Sequence, residues 1–210
     1  MNKYITDLIL KNAETAVDPE LKKFRDDYRE RGVPTLLTES LNCLILMATL
    51  KKPIKILEFG TSVGCSGIAL LKASENATLH TVERYEKSFY EAKDNFEKFG
   101  LTDRVCQYMG DALDVVDQLD GGYDFVFLDC NKSKYKDLYP KIKSLLNVGG
   151  ILFADNVLFR GYITGEVKAP HRHNTIKNNM REFLRLISED ADFITTVFDV
   201  GDGISISLKK

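Results

Sequence analysis

A chain of 210 residues with 44% apolar side chains has the length for one α/β domain with one sizeable core, which excludes a second full domain. Its 29 basic and 31 acidic residues leave a formal charge of -2, so no global field gathers a polyanion, and any nucleic-acid contact must rest on a local patch. Cys43, Cys65, Cys106 and Cys130 form no C-x-x-C pair, which argues against a zinc knuckle or a dithiol redox motif and for free thiols in a reducing compartment.

In chain order, Tyr4, Ile5, Leu8 and Ile9, and then Leu21, Phe24 and Tyr28, recur at helical spacing. The stretch MNKYITDLILKNAE lacks the basic and apolar regions of a secretory signal, and no segment reaches the roughly 20 apolar residues of a membrane span. A cytoplasmic protein with no membrane contact is expected. Gly32 and Pro34 break the helical pattern, and LNCLILMATL at 41–50 reads as a buried helix. Residues 1–52 are thus expected to be a helical N-terminal extension and lid on a core spanning 53–210.

From residue 54 short apolar runs alternate with amphipathic stretches, the pattern of a parallel sheet covered on both faces. The strands expected are IKILEF, TLHTVE, RVCQYM, YDFVFLD and GILFADN, with helices near 65–74, 87–99, 111–119 and 133–146. After a last helix at 174–188, FITTVFDV and GISISLKK flank Gly201, Asp202 and Gly203, a hairpin signal. The fold class predicted is α/β: a Rossmann-like, mostly parallel seven-stranded sheet closed by an antiparallel C-terminal hairpin.

The first strand runs into Glu58-Phe-Gly60-Thr-Ser62-Val-Gly64 and a helix follows. Glycines at the carboxyl end of such a strand let the backbone turn tightly and approach a ligand. A nicotinamide dinucleotide and a sulfonium cofactor both fit such a turn. The G-x-x-x-G spacing departs from the dinucleotide fingerprint, and an acidic Glu58 suits a cationic amino-acid ligand better than a pyrophosphate. Glu83 ends the second strand, 25 residues after Glu58, where a carboxylate accepts both hydroxyls of a ribose. Gly110-Asp111-Ala112 follows the third strand, placed to meet an adenine. The alternative is that Glu58 and Glu83 are merely solvated acids at strand ends.

The fourth strand ends in Asp129, followed by Cys-Asn-Lys132-Ser-Lys-Tyr135, and the fifth ends in Asp155-Asn156. Neighbouring strand ends bring two aspartates and an amide oxygen beside the cofactor cleft, a hard-oxygen set suited to Mg2+. Equally, Asp129 is a residue that caps helices, and Asp-Asn a pair that favours turns. Lys132 taken alone reads as a surface charge.

The motif L-E-F-G-T-S-V-G-C-S-G resembles the L-E-[IL]-G-x-x-x-G-Y-S of class I S-adenosylmethionine-dependent O-methyltransferases related to catechol and caffeoyl-CoA O-methyltransferases. Cys65 stands where that family commonly has tyrosine. D-x-x-K-x-x-Y followed by A-D-N is similar to the family's metal and base motifs. The resemblance implies cofactor contacts at Glu58, Gly60, Ser62, Gly64, Ser66, Glu83, Asp111, Ala112 and Asp129. Val33 and the segment Val33-Pro-Thr-Leu-Leu would line the lid. It implies Mg2+ (or Mn2+ or Ca2+) on Asp129, Asp155 and Asn156, Lys132 nearest the substrate hydroxyl, and a homodimer through the N-terminal helices.

Val157-Leu-Phe-Arg160-Gly161 looks like the corresponding segment of the tRNA 5-hydroxyuridine branch. Residues 157–185 hold six Arg or Lys (Arg160, Lys168, Arg172, Lys177, Arg181, Arg185) against Glu166 and Glu182, a cluster that can grip phosphates or simply be a solvated face. The function expected is methylation of 5-hydroxyuridine in tRNA, with a small catechol-like or caffeoyl-type substrate as the alternative. A nicotinamide-dependent dehydrogenase and a catalytically silent RNA-binding protein are more distant readings. His171 and His173 are expected in a substrate lid, without a catalytic role.

Overall fold

Asp18 starts the first well-capped helix: its Oδ1 accepts the Leu21 amide at 3.0 Å, and Pro19 occupies the first helical position. The computed structural model describes Tyr4, Asp7, Leu8 and residues 18–210; of the first expected helical stripe, Tyr4 and Leu8 are helical, and Ile5 and Ile9 lie outside the described residues. Helix α1 (Pro19–Glu30) buries Leu21, Phe24 and Tyr28, the three residues whose spacing predicted it, and α2 (Thr38–Lys51) buries Leu41, Leu44 and Ala48.

The core then alternates as expected. The elements are β1 (Lys55–Phe59), α3 (Cys65–Ala73), β2 (Thr78–Glu83), α4 (Glu86–Lys98), β3 (Val105–Met109), the one-turn α5 (Ala112–Val115), β4 (Tyr123–Leu128), α6 (Tyr135–Leu145), β5 (Leu146–Asp155), α7 (Asn174–Glu189), β6 (Phe193–Phe198) and β7 (Ile204–Lys209). The sheet order is β3-β2-β1-β4-β5-β7-β6. Strands β1 to β5 run parallel, and β7 pairs antiparallel with both β5 and β6.

Several element ends shift by one to four residues from the sequence reading, and two of these differences have a physical reason. The helix expected at 111–119 is one α-turn followed by a 3-10 turn over Val116–Gln118. The helix expected to reach 146 ends at Leu145, because Leu146 already pairs with Tyr123 across a register shift that precedes Phe125. Both lie where a short apolar run satisfies helix and strand equally.

The sheet is buried on both faces, so its central strands are apolar throughout. Ile56, Phe125, Phe127, Ile151 and Phe153 face α1 to α4; Leu57, Phe59, Val126, Leu128 and Leu152 face α5 to α7. Strand order reverses between β1 and β4, and ligands of open α/β sheets bind at the carboxyl ends of strands beside such a switch. No helix among the described residues is long and apolar enough to cross a membrane.

Candidate active site

At that edge lies a cavity of about 540 Å3, lined by the ends of β1 to β5 and by Pro34–Leu37, the segment leading into α2. The volume falls within the range of roughly 300–1,000 Å3 usual for small-molecule and cofactor sites. Gly60, on the cavity wall, adopts a φ of +105°. A Cβ there would stand 2.4 Å from the Asp129 carbonyl oxygen, so only glycine lets the ends of β1 and β4 approach this closely. The bond from the Asp129 amide to the Phe59 carbonyl, 2.9 Å, closes that approach.

Glu83 is buried and held from both sides. Its Oε2 accepts the Ser62 amide at 2.9 Å, with Ser62 in the left-handed region, and its Oε1 accepts the Tyr85 amide at 2.8 Å. Each oxygen keeps a lone pair for a ligand hydroxyl. Asp111 caps α5 through the Leu113 amide at 3.0 Å, and Lys134 Nζ binds its other oxygen at 2.6 Å. Burial works to raise the Asp111 carboxyl, but Lys134 and the amide outweigh it and hold the group below its ordinary value.

Glu58 is placed differently from the other acids. It has no solvent exposure and does not line the cavity; its carboxylate is bound by Ser66 Oγ and, at 2.6 Å, by Thr81 Oγ1. Burial lifts its carboxyl to about 7. Gly64, Ser66 and Val33 also stand behind the cavity wall, whereas Gly60, Ser62, Glu83, Asp111, Ala112 and Asp129 are on it.

Lys132, Asp155 and Asn156 line the same cavity. Lys132 Nζ is bound to Asp129 Oδ1. Asp155 is 2% exposed; burial, and next the Asp129 charge, lift its carboxyl to about 7. Asn156 adopts φ of +58°, which turns the chain sharply after the strand. Beneath, the fully buried Tyr135 hydroxyl donates to the carbonyls of Leu128 at 2.9 Å and Asp155 at 3.2 Å, tying the ends of β4 and β5 together. Among the described residues no three His, Cys, Asp or Glu side chains form a metal-binding group; the set here is two carboxylates and an amide.

Lys134, Arg84, Tyr85, Ser88 and Pro34–Leu37 also line the cavity, and sequence reasoning assigned only the last of these. Lys134, two residues from Lys132, was the most detectable. His173 packs against Phe159 and Tyr162 in the segment after Asn156, away from the cavity lining. All four cysteines are free thiols.

This sheet order, with acids and glycines ending its strands at the switch point, defines an S-adenosylmethionine-dependent class I methyltransferase. The chain belongs to the O-methyltransferase family, whose sequence pattern matches residues 19–210. It is 30% identical to a catechol O-methyltransferase of Niastella koreensis over 173 residues, covering 79% of this chain and 76% of that one. It is 34% identical to a caffeoyl-CoA O-methyltransferase of Citrus natsudaidai over 119 residues, 53% of this chain, and spans about half (51%) of that relative's length. The crystal structure of the O-methyltransferase TomG from Streptomyces achromogenes, involved in tomaymycin synthesis and in complex with S-adenosylmethionine, superposes with a TM-score of 0.85 at 25% identity over 100% of both chains.

Proposed function

We propose that the chain transfers the methyl group of S-adenosylmethionine to a hydroxyl of a small aromatic acceptor with two adjacent oxygens, catechol-like or caffeoyl-type, with Mg2+ (or Mn2+ or Ca2+) at Asp129, Asp155 and Asn156. The observation that carries this reading is the shared cavity of Glu83 and Asp111 with Asp129, Lys132, Asp155 and Asn156. The donor set fits a hard divalent cation, since two crowded carboxylates, one of them lifted by burial and by the other's charge, want positive charge between them. The catechol and caffeoyl-CoA activities for which the Niastella and Citrus relatives are named favour a small acceptor.

Each residue then has a task. Glu83 accepts the ribose hydroxyls through lone pairs left by its two amide bonds. Gly60 gives the donor access to the strand ends, and Pro34–Leu37 exclude water. When bound, the cation acidifies and orients the acceptor hydroxyl. Lys132 stands on the same wall beside the acceptor's position, where as a neutral amine, released from its ion pair with Asp129, it would take the proton the hydroxyl gives up.

The tRNA reading rests on Val157–Gly161 and the basic stretch. Three of its six cations make contacts within the fold: Arg172 donates to His173 Nε2 at 3.3 Å, Arg181 to the Ile163 carbonyl, and Arg185 pairs with Glu182 and Glu189. The small acceptor is therefore preferred, and one experiment decides. Purified protein with S-adenosylmethionine and a vicinal diphenol should turn over with Mg2+, stop in EDTA, and be inactive as Asp155→Ala. Full turnover in chelator removes the cation from the reading. Turnover on tRNA carrying 5-hydroxyuridine with none on the diphenol moves the substrate to RNA. In that case Arg172→Ala with Lys177→Ala should flatten the salt dependence of binding by roughly 0.7 to 0.9 per lost phosphate contact.

A further inference from the structure

Ser40 lies in the first turn of α2 and is fully buried, yet its hydroxyl reaches out of its own helix to donate to Asp155 Oδ1 at 3.2 Å, across 115 residues of sequence. A serine near a helix start ordinarily satisfies its hydroxyl on local backbone. The packing around it leaves room for that hydroxyl and little else: a Cβ on Gly201, in the β6–β7 turn at φ of +61°, would stand 2.5 Å from Ser40 Oγ. Helix, strand end and hairpin turn thus meet at one hydroxyl. The Asp155 carbonyl is fixed separately by Tyr135, so Ser40 acts on the carboxylate and Tyr135 on the backbone.

We propose that Ser40 is the positioning residue for Asp155: its hydroxyl holds one carboxylate oxygen, which sets the rotamer and leaves the remaining lone pairs for a divalent cation in the cavity. The proposal rests on the cation reading above and deepens it. A carboxylate without such a partner samples several orientations, and loss of a hydrogen bond behind a metal ligand typically costs 10–100-fold in affinity. The residue that supplies the bond comes from the helix that follows Pro34–Leu37 directly, so the wall over the cofactor and the geometry of the cation ligand are set by one element.

The test is Mn2+ titration of the full-length, ligand-free protein, reading free Mn2+ by electron paramagnetic resonance, with S-adenosylhomocysteine binding by calorimetry as the check on folding. Wild type should bind one Mn2+. Ser40→Ala and Ser40→Cys should each bind it about tenfold or more weakly, with S-adenosylhomocysteine affinity unchanged. Cysteine is larger than serine and donates only weakly, while alanine is smaller, so a loss shared by both variants follows the hydroxyl and not the volume. If Ser40→Cys binds Mn2+ like wild type, the residue acts by filling space and the proposal is overturned, whatever Ser40→Ala does. If wild type binds S-adenosylhomocysteine but no Mn2+, the cation reading itself fails and takes this proposal with it, a result distinct from failure of the variants alone.

Discussion

Gly60 carries the tightest steric constraint at the site, since its φ of +105° and the 2.4 Å approach of a Cβ to backbone leave nothing flexible to give way. Gly60→Ala should therefore destabilise by about 3 kcal/mol in urea denaturation, combining backbone strain with overpacking. Glu83→Ala removes only ligand acceptors and two local amide bonds at a loop, so calorimetry should show weaker S-adenosylmethionine binding with the fold intact. Unchanged affinity would detach Glu83 from the ribose. Glu58 sets a pH dependence. Its carboxyl is raised from 4.5 to about 7 in the folded chain, so the folded state holds a proton the unfolded state releases; the associated stability is full below about 4.5 and declines as pH rises to about 7. Glu58→Gln should remove that decline, at most about 3 kcal/mol at 1.36 kcal/mol per pH unit, measurable as the difference between urea midpoints at pH 5 and pH 8. Equal slopes in both proteins would mean Glu58 is ionised in its pocket.

Among the elements, the segment over the cavity depends on a side chain from α1. Arg29 Nε donates to Thr35 Oγ1 at 2.8 Å, and its Nη2 reaches the Leu36 carbonyl. Arg29→Ala should loosen Pro34–Leu37 and weaken S-adenosylmethionine binding by roughly 1.5–3 kcal/mol, the range for hydrogen bonds to charged groups, with little change in Mn2+ binding; equal affinity by calorimetry would free the segment of this anchor. Elements with a strong period or a glycine turn were legible from sequence. The spacing of Leu21, Phe24 and Tyr28 gave α1, the apolar runs gave the strands, and Gly201-Asp202-Gly203 gave the hairpin. The strand-end acids were legible too, because residues ending adjacent parallel strands share an edge whatever their distance in the chain. The side of the strand was not: Glu58 follows Ile56 by two residues and so faces α3 with it, behind the cavity, a distinction that alternation contains only once the facing helices are known. Nor were Arg29 and Ser40 legible as partners of the site, since each acts through a contact that local pattern does not encode.

Across the whole molecule, the proposed function divides the cavity into a donor half on β1 to β3 and an acceptor half on β4 and β5. β7, though last of the strands in chain order, is not at the sheet's edge; it lies between β5 and β6, with Ile204 opposite Asp155. The order of synthesis is therefore not the order of the sheet. While a ribosome is still adding the hairpin, β1 to β4 can already pair, but β5 has an open flank and Ser40 lacks the turn that packs on it. On the proposed reading, the residues for the methyl donor are all synthesised before the hairpin turn that packs against Ser40 beside the acceptor side. A chain released after Glu189 leaves the flank of β5 unpaired and should self-associate in gel filtration, since an uncovered strand edge is a template for another chain.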